Sequence, residues 1–187
     1  MKGFGEIYKS EKKKNKKNKF SNEKIINKAI QLHLKGNISE AKKYYQYCIS
    51  QGFNDHIVFS NYGIILKNFG KLQDAELSTR KAIEIKPDFA NAHYNLGNIL
   101  NDLGQLQEAE LSYRKAIELN SNFTEAYSNL GGILRDLGNL QEAELSTRKA
   151  IEIKPDYAEA YLNLGNIFRD IGKSREAELS YRKAIEI

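Results

Sequence analysis

The sequence predicts an all-α fold, a right-handed α-solenoid of five 34-residue helix-turn-helix units with the last one truncated. Three observations carry this expectation. Glycines stand a fixed 34 residues apart at Gly36, Gly70, Gly104, Gly138 and Gly172. Alanines keep the same interval at Ala41, Ala75, Ala109, Ala143 and Ala177. Between these landmarks, apolar residues recur at three- and four-residue steps, the period of one helix face.

In phase with the landmarks, the units run 22–55, 56–89, 90–123, 124–157 and 158–187, each numbered internally from position 1. Position 4 holds Ile25, Phe59, His93, Tyr127 and Tyr161; position 7 holds Lys28, Tyr62, Leu96, Leu130 and Leu164. Position 11 holds Leu32, Leu66, Leu100, Leu134 and Phe168. This single stripe makes positions 1–14 an amphipathic helix. Glycine at position 15 can take the left-handed geometry that ends it. A second helix is predicted over positions 17–31, with Leu or Ile at 17, 22, 28 and 30 turned inward. Small residues at positions 8, 20 and 27 let helix axes approach, Cys48 among them. Pro87 and Pro155 at position 32 cannot continue that helix. On its outer side Glu110, Arg114 and Glu118 have the spacing of i,i+4 ion pairs, worth roughly 0.2–0.5 kcal/mol each.

Both ends depart from the pattern. The first unit has Lys28 in an apolar slot and Phe53 where proline belongs, as suits an N-terminal cap that meets water. The last unit stops at Ile187 inside an apolar helical segment without a polar cap. A fragment of a longer chain, or an end buried by another copy, would explain this, and self-association through the uncapped repeat is expected. The net charge of +5 has a separate origin, because residues 1–21 hold eight lysines against two glutamates. The remainder balances 21 cations against 22 anions. Residues 1–21 are therefore expected to be a disordered Lys-rich tail, with too little apolar surface to bury. The near-neutral repeats offer no continuing basic groove, so specific nucleic-acid binding is not expected. No apolar stretch reaches the roughly 20 residues that a membrane span needs, and no secretory signal opens the chain, so a cytoplasmic setting is expected.

Tyr127, Leu130, Gly131, Leu134, Ala143, Ala150 and Pro155 form a pattern of aromatic, Leu-Gly, spaced alanines and proline. On these residues the sequence over 22–187 resembles the tetratricopeptide-repeat (TPR) family. The NLGN and NLGG runs and the GQLQEAELSYRKAIEL stretch are similar to the repeats of protein O-linked N-acetylglucosamine transferases. The resemblance implies a concave wall of first helices, with positions 2, 5, 6, 9, 12 and 13 facing a groove. Position 6 there carries Asn61, Asn95, Asn129 and Asn163; position 9 adds Asn98 and Asn166. Tyr94 stands at position 5, and Asn101, Arg135 and Arg169 at position 12.

Asparagine forms helices roughly 0.5 kcal/mol less well than alanine, so this row needs a reason. One reason is an amide ladder that pairs with the backbone of an extended peptide, as the resemblance implies. The other is local bonding between adjacent first helices. The copies are not independent, since residues 75–88 and 143–156 are identical and position 24 alternates Thr79, Tyr113, Thr147, Tyr181. A carboxylate clamp of the kind some family members use would need lysine at position 5, where Ser60, Tyr94, Ser128 and Leu162 stand. Arg135 and Arg169 lie beside Asp136 and Asp170, which predicts a solvated ion-pair row and not a phosphate site.

No catalytic site is legible. His33, His56 and His93 share no ligand spacing, so no metal is expected, and Cys48 occupies a small core position that suits a buried thiol. Phosphate-binding and nucleophile-elbow motifs are missing, and no cofactor is expected. The expected function is a protein-interaction scaffold that binds an extended peptide segment. The alternative is the substrate-recruiting arm of a longer transferase-type enzyme whose catalytic domain lies outside this chain.

Overall fold

The computed structural model describes residues 22–187. The expected Lys-rich tail lies outside the described residues. Helix α1 covers 22–34, followed by α2 (Ile38–Ser50), α3 (His56–Asn68), α4 (Leu72–Ile85), α5 (Ala90–Asp102) and α6 (Leu106–Leu119). After these come α7 (Thr124–Asp136), α8 (Leu140–Ile153), α9 (Ala158–Asp170) and α10 (Ser174–Glu186). Among the described residues there is no strand. Odd-numbered helices are the first helices of successive hairpins, and even-numbered ones the second.

The turns inside the hairpins follow from glycine. Gly36, Gly70, Gly104, Gly138 and Gly172 have φ of 74°, 72°, 74°, 83° and 80°, a region costly for residues with a Cβ. At the end of α5 the Gly104 N–H donates to the Asn101 carbonyl at 2.9 Å, and the Gln105 N–H donates to that of Leu100 at 2.9 Å. Carbonyls that the helix would leave open are thereby satisfied. The first hairpin, which lacks the proline, uses the same device after its second helix. Gly52 has φ of 72°, and the Phe53 N–H donates to the Cys48 carbonyl at 3.0 Å. Asp55 then caps α3, its Oδ1 accepting from the Ile57 and Val58 N–H groups at 2.9 and 3.0 Å. Such a cap is worth about 1 kcal/mol.

Each first helix packs on its own second helix, and each second helix from α2 to α8 packs on the first helix that follows. Ala75, Ala109, Ala143, Ala82, Ala116 and Ala150 are fully buried at these crossings. Leu96, Leu100, Tyr113, Leu130, Ile133 and Leu134 join into one core that runs through neighbouring hairpins. Burying each such side chain contributes roughly 1.5–3 kcal/mol. The α1–α3 segment has its own core of Ala29, Ala41, Tyr45, Cys48, Val58 and Ile65, with Lys28 left exposed. Position 4 also ties hairpins together: His93 Nε2 lies 2.8 Å from the Pro87 carbonyl, and the Tyr161 hydroxyl donates to that of Pro155 at 3.1 Å.

Two expectations are corrected. Leucine at position 22 does not turn inward, and Leu77, Leu111, Leu145 and Leu179 are exposed. Position 22 sits two residues from the buried positions 20 and 24, which is nearly half a helical turn away from them. The Glu110–Arg114 pair forms at 2.8 Å, but the second arm of Arg114 turns away from Glu118. It crosses to Glu142 of the next hairpin at 2.6 Å, while Glu118 pairs with Lys115 at 2.7 Å.

Candidate functional site

The first helices stand side by side and form one wall. Along it α3 touches α5 and α7 touches α9 directly, more closely than α5 approaches α7. The side chains at positions 5 and 9 explain the alternation. Ser60 and Ser128 present short hydroxyls at the close contacts, whereas Tyr94 and Asn98 stand between α5 and α7.

The position-6 asparagines follow the same two-unit rhythm. Asn95 Nδ2 donates to Ser60 Oγ at 3.1 Å, and Asn163 Nδ2 donates to Ser128 Oγ at 3.0 Å and to the Ser128 carbonyl at 3.2 Å. Asn129 Nδ2 instead donates to Asn98 Oδ1 at 2.9 Å, with the Tyr94 hydroxyl 3.4 Å away. Asn61 Nδ2 reaches the Tyr45 hydroxyl at 3.0 Å. All four amide nitrogens are therefore committed to the preceding hairpin. Their Oδ1 atoms carry no hydrogen bond among the described residues.

Position 24 supplies what the sequence pattern left unassigned. The Tyr113 hydroxyl donates to Asn98 Oδ1 at 2.8 Å, and Tyr181 repeats the bond to Asn166 at 3.0 Å. Tyrosine at 24 thus goes with asparagine at 9, while Thr79 and Thr147 go with Ile64 and Gly132. The alternation at position 24 was the available signal for this pairing. Each tyrosine lies over the glycine at position 8 of its own hairpin, and a Cβ at Gly97 would come within 2.6 Å of the Tyr113 ring. Burial pushes the Tyr113 and Tyr94 phenols above their usual range, so both remain protonated, Tyr113 donating to Asn98 and Tyr94 facing the Asn129 amide.

Where α5 and α7 part, a polar depression of about 310 Å³ opens. Asn101, Asn129, Asn163 and Arg135 line it, joined by Gly132 at position 9, Glu159 at position 2 and Tyr113, which stands off the groove positions. Asn61, Asn95, Asn166 and Arg169 lie elsewhere on the wall. Gly132 forms an open floor, since nothing lies within 4 Å of where its Cβ would be. Positions 12 and 13 along the wall carry a run of ion pairs. Lys67 meets Asp102 at 2.8 Å, Arg135 meets Asp136 at 2.6 Å and Asp170 at 3.6 Å, and Arg169 meets Asp170 at 3.2 Å. With Asn101 at position 12, the cross-hairpin link to Asp136 is replaced by the bond within α7.

Cys48 is fully buried, and desolvation pushes its thiol up to about 11, where thiolate chemistry is suppressed at neutral pH. Among the described residues no three His, Cys, Asp or Glu side chains gather as metal ligands. No helix among them is long and apolar enough to cross a membrane.

Comparison with known proteins agrees with the helical-repeat fold. No curated protein matches the chain in sequence. Among solved structures, MamA is 26% identical with a TM-score of 0.74, covering 84% of this chain and 92% of its own. YrrB, described as a TPR protein with an unusual peptide-binding site, is 25% identical with a TM-score of 0.71, covering 87% and 84%. A MamA from Desulfovibrio magneticus RS-1 has a TM-score of 0.77 at 21% identity, covering 88% and 93%, a likeness of fold alone. Likeness to the glycosyltransferase repeats does not emerge from these comparisons. Two family models described as tetratricopeptide repeat match residues 90–123 and 122–187, together more than half of the chain, and the chain belongs to the tetratricopeptide-repeat family.

Proposed function

We propose that this protein is an interaction scaffold that holds an extended protein segment along its first-helix wall, centred between α5 and α9. The observation that carries the reading is the polar depression at Asn101, Gly132 and Arg135, where α5 and α7 part. YrrB, with its peptide-binding site, lends support as a relative of the same fold.

The asparagine ladder enters this reading in a narrower form. Asn129 and Asn163 each place their amide nitrogen on two acceptors of the preceding hairpin, so what these two offer a ligand is their carbonyl oxygens. Asn129 and Asn163 would accept from backbone N–H groups of the bound segment, each bond worth about 0.5–1.5 kcal/mol net. Acceptors aimed at a backbone favour sequence-tolerant binding. Catalysis has no part in this reading, and a cytoplasmic setting and indifference to specific nucleic-acid sequence belong to it.

The test is to select binders from a displayed library of extended peptides on the full chain. Gly132→Phe fills the depression without meeting a neighbour at its Cβ, so it should lose most selected binders while the circular dichroism stays that of the parent. Binders retained in full by this variant would place the ligand elsewhere. The reading as a substrate-recruiting arm of a larger transferase rests on the likeness of the repeat strings. Sequencing the gene beyond codon 187 decides it, and a stop after one further polar helix would sink it.

A further inference from the structure

The second helices carry a feature that groove binding does not use. Leu77, Leu111, Leu145 and Leu179 occupy the same position in four successive hairpins and are between 60% and 69% exposed. Single exposed leucines are ordinary, but a row in register is not. The surface between them is apolar too. A groove of about 470 Å³ bounded by Leu111 has Ile83, His93 and Leu96 in its walls. Its equivalent one hairpin on, about 460 Å³ and bounded by Leu145, has Ile117, Tyr127 and Leu130. Leucine and groove therefore alternate along the outer face, on the opposite side from the asparagine wall.

The charges flanking each leucine say what can cover the row. Three residues before it stand Asp74, Glu108, Glu142 and Glu176, and three residues after it stand Arg80, Arg114, Arg148 and Arg182. Each of the second helices α4, α6, α8 and α10 thus reads acid, leucine, arginine at equal steps. Rotation of a second copy by half a turn about an axis along the leucine row reverses each second helix against its own counterpart. Leu111 then meets Leu111 of the other copy, Arg114 meets Glu108, and Glu108 meets Arg114. The same match repeats at Leu145 with Glu142 and Arg148. Within one chain these charges already pair across hairpins, Arg80 with Glu108 at 3.0 Å and Arg114 with Glu142 at 2.6 Å, so they are held in position. A partner of another period would match one hairpin and miss the next, whereas a second copy has the required period by construction.

We infer that the outer face is an isologous dimer interface, in which second helices of two copies lie antiparallel across the leucine row. It uses a face separate from the proposed peptide groove and leaves that groove open in both copies.

Sedimentation of the full chain over a range of concentrations tests this. The parent should move from one chain mass to twice that mass as concentration rises. Leu111→Glu with Leu145→Glu should stay monomeric, with dimer association weakened by about tenfold or more and an unchanged circular dichroism spectrum. Arg114→Glu should weaken the dimer, and mixing it with Glu108→Arg should restore association between the two variants. Ile185→Glu, at the bare end of α10, should leave the dimer intact. A parent that is monomeric throughout overturns the inference. So does a dimer that survives the double leucine change, or one that Ile185→Glu abolishes, because the interface would then lie elsewhere.

Discussion

Gly131 and Gly132 are neighbours on α7, yet alanine should shift stability in opposite directions at the two. A Cβ on Gly131 would collide with Thr147 Oγ1 and lie 3.1 Å from the Ala143 carbonyl, a backbone atom that cannot swing aside. Overpacking of this kind costs about 1–3 kcal/mol. A Cβ on Gly132 meets nothing within 4 Å, and alanine there removes backbone freedom from the unfolded chain. The expected gain is about 0.5–1 kcal/mol. Urea unfolding of the two variants measures both, and a loss at both positions would show that α7 needs glycine for another reason. Thr147 Oγ1 is buried without a hydrogen-bond partner. Gly131→Ala should accordingly cost less on a Thr147→Ala background, a coupling that a double-mutant cycle reads directly.

Among the first helices, the asparagines should divide by what their nitrogens hold. Asn163→Ala breaks bonds to Ser128 Oγ and its carbonyl, and Asn95→Ala breaks the bond to Ser60, so each should cost about 1 kcal/mol. Asn101 is exposed and bonds to no described residue, so Asn101→Ala should cost close to nothing. Thermal melts of the three variants check this; an Asn101→Ala loss equal to the others would mean that the wall is stitched differently. The period, the turn glycines and the placing of asparagines on the first helices were all legible in the sequence, because each follows from geometry inside one helix. Less legible was which partner each amide chooses. That depends on whether the preceding hairpin offers a serine at position 5 or an asparagine at position 9, a matter of contact between hairpins. Arg114 shows the same limit, since Glu118 and Glu142 compete for it and only the stacking distance decides. At Leu111 apolar character does not bring burial, because its angle to buried Ala109 and Tyr113 on α6 points outward. The depression itself, floored by Gly132, is an absence of side chain that no motif announces.

For the molecule as a whole, stability should fall in alkali earlier than surface charge alone would require. Burial pushes Cys48 from 9.0 up to about 11, and the phenols of Tyr45, Tyr94, Tyr113 and Tyr157 are also raised, chiefly by desolvation. Each is an acid whose folded form keeps its proton longer than the unfolded chain does. Between the unfolded and folded values the unfolded state therefore binds fewer protons, and the free energy of unfolding declines as pH rises. For Cys48 the window runs from 9.0 to about 11, and the tyrosine windows open at 10.0. Cys48 and Tyr45 share the first hairpin, Tyr94 and Tyr113 share the α5–α6 hairpin, and Tyr157 follows α8. A solenoid transmits stability only between neighbours, so the loss is spread along the stack. Cys48→Ala removes one titrating group and keeps the position small. Its urea midpoint, followed from pH 8 to pH 11 at roughly half-unit steps, should decline less steeply than the parent's over the cysteine window. Toward the top of that window the two slopes should converge as the tyrosines take over. Parallel slopes throughout would mean that Cys48 titrates alike in the folded and unfolded chain, against its burial in the first core.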